Sequence, residues 1–162
     1  MNGELRGVRG WLAFLAVSLS ILRPLVLIFA TFAGVSAAES ANPVLLTLAG
    51  WGPAKIITWI AVGLEILCSG AAGWMLMTRF KPSTVTAVVA LLWVGGPVLS
   101  LVCTAGVAAA LGIHLSEAID PGALGKDLVY AVVWTAYLKR SERVRNTYLE
   151  DPELETLSTT FG

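Results

Sequence analysis

Histidine is almost absent from this chain, cysteine and charge are scarce, and neither sign of charge prevails. One His and two Cys in 162 residues fall short of the several ligands that zinc, haem and iron–sulfur centres need. No metal and no cofactor is therefore expected, and bis-histidine haem ligation within the chain is impossible. Eleven Lys and Arg against eleven Asp and Glu leave a formal net charge of zero. That removes the polycationic footprint of a nucleic-acid binder. No P-loop, dinucleotide fingerprint, Ser/His/Asp set or catalytic carboxylate pair occurs, so no enzymatic activity is expected. Charged residues are 14% of the chain, against about 25% in soluble domains. What is present instead is apolar: 56% of residues are hydrophobic and the mean hydropathy is +0.77. A soluble fold of this length cannot hide that much apolar surface in one core.

The apolar residues lie in long runs. About 20 helical residues cross a ~30 Å hydrocarbon layer. The runs predict an all-α, integral membrane four-helix bundle over residues 1–148, with spans near 11–35, 56–77, 85–111 and 121–138. The fourth is the weakest, because it must carry Lys126 and Asp127 into the outer part of the membrane. Turn signals separate the runs: Ser36, Asn42-Pro43 and Gly50-Trp51-Gly52-Pro53, then Arg79–Ser83 with Pro82, then Gly112 and Asp120-Pro121-Gly122. Residues 149–162 read as an acidic, mobile cytoplasmic tail. Arg6, Arg9 and Val35-Ser36-Ala37 resemble parts of a signal peptide, but the first apolar run is too long for one and carries Arg23-Pro24.

Threading follows from Lys and Arg in the short loops. Arg6, Arg9, Arg79, Lys81, Lys139, Arg140, Arg143 and Arg145 fall on one side, and only Lys55 and Lys126 on the other. Eight against two places both termini in the cytoplasm. The spans ending in Thr31–Ala38 and Thr104–Ala110 each follow a mid-span proline, Pro24 and Pro97, a weak sign of a parallel duplication.

Charges inside the spans are costly and therefore informative. At 1.5 Å per residue, Arg23 and Glu65 both sit about 16–18 Å from the inner face. They lie on stripes of small residues, Ala16, Ser20, Arg23, Ala30, Thr31 and Gly34 in the first span and Ala61, Glu65, Cys68, Ser69 and Ala72 in the second. Such faces turn toward other helices, so an intramembrane Arg23–Glu65 pair is expected. It serves either as a structural register or as part of a substrate or proton path. Lys126 and Asp127 form a possible midplane or outer polar cluster. Pro24 and Gly95-Gly96-Pro97 mark helix kinks, and the Gly-Gly-Pro triplet could also open carbonyls to an ion. His114 reads as a solvated loop residue. Cys68 and Cys103 differ too much in depth to bridge.

The most distinctive segment is Trp134-Thr135-Ala136-Tyr137-Leu138-Lys139-Arg140-Ser141-Glu142-Arg143-Val144-Arg145-Asn146-Thr147-Tyr148. Together with the opening Gly7-Val8-Arg9-Gly10-Trp11-Leu12, it resembles the domain-of-unknown-function 2569 family. That pattern is Gly-x-x-Gly-Trp-Leu at the start, and Trp, Tyr, Ser-x-Arg-Val and Thr-aromatic at the close. The resemblance implies a bacterial inner-membrane protein of four helices and implies no activity. Glu142 stands where the family's version has a basic residue. Physically the closing motif reads as a membrane-exit device. Trp134 and Tyr137 anchor at headgroup level, and Lys139, Arg140, Arg143 and Arg145 meet anionic headgroups.

These observations lead to one expectation and one alternative. The expectation is a non-catalytic, multi-pass accessory or assembly subunit, bound to a membrane-protein partner or to copies of itself. The alternative is a small secondary transporter or proton-linked carrier using the midplane charges.

Overall fold

The computed structural model describes residues 10–149; the acidic tail from Glu150 onward lies outside the described residues. The described residues form an all-helical fold with no strand among them. Four long helices form: α1 (Trp11–Ala41), α2 (Trp51–Thr78), α3 (Pro82–Leu111) and α4 (Pro121–Arg140). The first three are long and apolar enough to cross a membrane. α4 carries Lys126, Asp127, Lys139 and Arg140 in its 20 residues and does not reach that apolarity.

The helix ends follow local chemistry. Gly10 starts α1 at φ 59° and ψ −134°, a conformation open in practice only to glycine. α1 runs six residues beyond the predicted Val35, because Ala37, Ala38 and Ala41 are strong helix formers. It stops at Asn42, which precedes Pro43 and is extended at φ −139° and ψ 83°. α2 begins at Trp51, ahead of the predicted 56. Gly50-Trp51-Gly52-Pro53 is thus a helix entry and not a loop, since proline in a first turn forfeits no helical hydrogen bond. Pro82 opens α3, and Gly112 closes it in the left-handed conformation, φ 68°. Asp120 caps α4, its side chain accepting from the Gly122 N–H at 2.8 Å, with Pro121 at the first position.

α2 is the central element, packed against both α1 and α3, while α4 packs on the first half of α3. Glycines permit the closest approaches. A Cβ on Gly73 would stand 2.2 Å from Ser20 Oγ and 2.8 Å from the Ala16 carbonyl oxygen of α1. One on Gly95 of α3 would stand 2.6 Å from the Cys68 Cβ of α2. The apolar core gathers at the end of the molecule that holds the α2–α3 turn. It joins Leu12, Leu15, Leu19, Leu76, Val88, Leu92, Leu138, Val144 and Tyr148, all buried. In α1 beyond Arg23 no residue is buried. Ala30 and Gly34 are exposed there, so the predicted small-residue stripe of α1 packs only in its first half. Both cysteines are free.

Candidate functional site

α1 and α3 each contain one wide helical turn, at Ser18–Leu22 and at Val94–Val98. In α1 the Arg23 N–H reaches the Ser18 carbonyl, five residues back. The next donor in that register would be Pro24, which has none. The Leu19 carbonyl is thereby left without a helical donor, and the Ser69 hydroxyl of α2 donates to it. In α3 the Leu99 N–H goes to the carbonyls of Val94 and Gly96 and passes over Gly95. The Gly95 carbonyl accepts instead from Arg23 Nη2 at 3.2 Å. The predicted kinks at Pro24 and at Gly95-Gly96-Pro97 are therefore π-turns. Each leaves a carbonyl that a side chain of another helix satisfies.

Arg23 is the hub of this arrangement. Its Nη2 lies 3.7 Å from Glu65 Oε2 of α2, and the two side chains are only 15% and 13% exposed. Its Cζ stands 5.0 Å from the ring centroid of Tyr130 on α4, within cation–π range. One guanidinium thus touches α2, α3 and α4 from α1. A Cβ on Gly96 would meet Arg23 Nη2 at 3.6 Å, an ordinary contact distance, so the fork lies directly over the Gly95-Gly96 backbone. Tyr130 was not singled out in the sequence. The available signal was its place one turn beyond Asp127. Asp127 itself is half-buried and Lys126 is exposed. Among the described residues neither forms an ion pair with Arg23 or Glu65. Lys126 lines a cleft on α4 with Val129, Tyr130, Val133 and Trp134, its long stem carrying the charge outward.

The closing motif does more than leave the bundle. α4 ends at Ser141, which is extended at ψ 124°. The chain then turns back through Glu142–Val144 and Arg145–Leu149. Val144 is 0% and Tyr148 2% exposed. The Tyr148 hydroxyl donates to the Leu76 carbonyl in the last turn of α2, and its ring stacks on Phe80 at 5.9 Å. α2 ends at Thr78 and Arg79 is extended at φ −119° and ψ 102°, so the Leu76 carbonyl loses its helical donor at Phe80 and needs an outside one. The four cations of the motif differ in exposure. Lys139, Arg140 and Arg145 are exposed, but Arg143 is half-buried and its Nη1 is shielded without a partner. The turn at Ser141 that tucks Val144 inward carries Arg143 with it. Trp134 and Tyr137 lie against the core, with Phe14 6.3 Å from Trp134 between ring centroids. Thr135 accepts from Trp93 Nε1 at 3.1 Å.

A model for proteins of unknown function, DUF2569, matches residues 5–149. The chain belongs to the DUF2569 family. No curated protein and no solved structure matches it. The DUF2569 match ends at residue 149, where the tucked segment ends. Leu12 from the opening motif and Val144 and Tyr148 from the closing motif meet in one core cluster. In this DUF2569 chain Leu12, near the start of the described residues, thus packs with the closing motif.

Replacing Tyr148 by Phe removes only the hydroxyl and leaves the Leu76 carbonyl unpaired. A loss of about 1–3 kcal/mol is expected in the unfolding free energy in detergent. Burial pushes the Tyr148 hydroxyl up to about 12, so it ionises later in the folded protein than in the unfolded chain, near 10. Its contribution is fully present below pH 10 and is lost as pH rises toward 12. Thermal unfolding measured from pH 8 to 12 should fall less steeply in Tyr148→Phe than in the parent.

Proposed function

We propose that this DUF2569 protein is a non-catalytic, four-span membrane protein of the bacterial inner membrane, with both termini cytoplasmic. In this reading it serves as an accessory or assembly subunit of a larger membrane complex. The observation that carries the reading is the Arg23 hub. The guanidinium is engaged by Glu65, Gly95 and Tyr130 from three other helices, which is how a clamp uses a buried charge. Large apolar side chains on the outside, Phe29 at 70% and Leu67 at 68% exposed among them, suit lipid or a membrane partner. Threading of α4 as the fourth span rests on the eight-to-two Lys and Arg asymmetry.

Extraction of the protein in native membrane discs at its natural level tests the subunit role. A different membrane protein at fixed stoichiometry is expected. A lone homo-oligomer around a hydrated interior would contradict it. For the threading, cysteines introduced at Asn42 or Ser116 in a Cys-free background should react with an impermeant reagent from outside, and one at Ser83 should not. A second reading, a proton-linked carrier, is favoured by one feature: the ionisable pair sits beside two π-turns, which occur often at functional sites.

A further inference from the structure

α1 and α2 are joined at two levels, and a groove lies between these links. The lower link is Arg23–Glu65. At the upper link, Lys55 Nζ and Trp51 Nε1 both donate to Glu39 Oε1, each at 2.8 Å. At the helical rise about 24 Å of α1 separates these links, and on α2 about 15 Å counted to Lys55 or about 21 Å counted to Trp51. A groove of about 870 Å³ opens, lined by Phe32, Val35 and Ser36 of α1 and by Lys55, Ile56 and Trp59 of α2 among others. That volume is within the range of small-molecule sites, about 300–1,000 Å³.

The walls and the mouth differ in chemistry. Phe32, Val35, Ile56 and Trp59 make an apolar channel that runs about 10 Å from Glu39 toward the middle of α1. At the mouth stands one cation and one anion, with valence to spare. Both recorded bonds to Glu39 fall on Oε1, which leaves Oε2 as an acceptor. Lys55 uses one of its three N–H donors on Glu39. Ser36 lies one turn below Glu39 and lines the same groove.

We infer that this groove binds one phospholipid with a zwitterionic amine headgroup, of the phosphatidylethanolamine type. The lipid ammonium meets Glu39 Oε2, and the lipid phosphate meets Lys55. The Ser36 hydroxyl donates to an ester carbonyl, and one acyl chain lies along Phe32, Ile56 and Trp59. A purely anionic headgroup would answer Lys55 but confront Glu39, so the pair of charges selects for the zwitterion. The exposed ammonium of an amine lipid is also a charge-assisted donor that a trimethylated headgroup lacks.

The test uses the full chain in detergent, offered equal amounts of dioleoyl phosphatidylethanolamine and dioleoyl phosphatidylglycerol, with retained lipid counted by native mass spectrometry. Retention of the ethanolamine lipid should exceed the glycerol lipid by about tenfold, the worth of one charge-assisted bond. Glu39→Gln should abolish that preference. Because Glu39→Gln also touches the upper link, a second variant decides independently. Gly52 lines the groove and a Cβ there meets nothing within 4 Å, so Gly52→Leu obstructs the groove next to Lys55 without disturbing the helices, at a position where leucine is the better helix former. It should lose the bound lipid while keeping the parent's helical content. Equal retention of the two lipids by the parent, or unchanged ethanolamine-lipid retention in folded Gly52→Leu, would overturn the inference.

Discussion

Arg23→Met should lower the unfolding free energy of the detergent-solubilised protein by about 3–5 kcal/mol, and Glu65→Gln by a smaller but substantial amount. Loss of the guanidinium strands a carboxylate that is 13% exposed, takes the donor from the Gly95 carbonyl and removes the cation over Tyr130. Glu65→Gln keeps a polar acceptor but leaves the guanidinium without its counter-charge. The double change Arg23→Met, Glu65→Gln should recover much of the single loss, because neither charge is then left unpaired. Chemical unfolding followed by circular dichroism gives all four corners of the cycle. Strict additivity of the two single losses would mean that the 3.7 Å approach carries no coupling.

Gly73→Leu is expected to be at least as damaging, by about 3 kcal/mol or more, through overpacking. The first atom of any side chain at this position would stand 2.2 Å from Ser20 Oγ, which can swing aside, and 2.8 Å from the Ala16 carbonyl, which cannot. α1 and α2 would have to separate at the point where Ser69 reaches the Leu19 carbonyl. Even Gly73→Ala should cost about 1–3 kcal/mol. Gly63→Ala and Gly70→Ala in the same helix, whose Cβ atoms would meet nothing within 4 Å, are the controls. They should be neutral or stabilising by up to about 1 kcal/mol.

Much of the architecture is written in the order of residues, for physical reasons. Long apolar runs leave no fold but helices, and prolines at positions 43, 82 and 121 mark where helices end or begin. The rise per residue was enough to put Arg23 and Glu65 at one depth, and small neighbours put both on packing faces. What composition hides is the identity of third and fourth partners. Gly95 is a partner through its carbonyl, which is free only because the register of α3 widens around Pro97. Tyr130 is a partner through its ring, and its one signal in the sequence, a place one turn beyond Asp127, does not reveal that contact. The fold-back after Ser141 was also illegible. Lys139, Arg140, Arg143 and Arg145 look like a continuous basic exit strip, and the burial of Val144 and Tyr148 depends on an orphan carbonyl in a helix 72 residues away. The upper half of α1 misled in the opposite direction. Ala30 and Gly34 have the composition of a packing stripe, yet both are exposed, in the half of α1 that borders the groove with α2.

The central claim is that the Arg23–Glu65 pair clamps helices together and does not conduct. Proton uptake by liposomes reconstituted with the full chain, read with an entrapped pH dye under an imposed gradient, tests it most directly. The account predicts the same uptake for the parent and for the folded double variant Arg23→Met, Glu65→Gln, both at the level of protein-free liposomes. Uptake by the parent above that level, lost in the folded double variant, would contradict it.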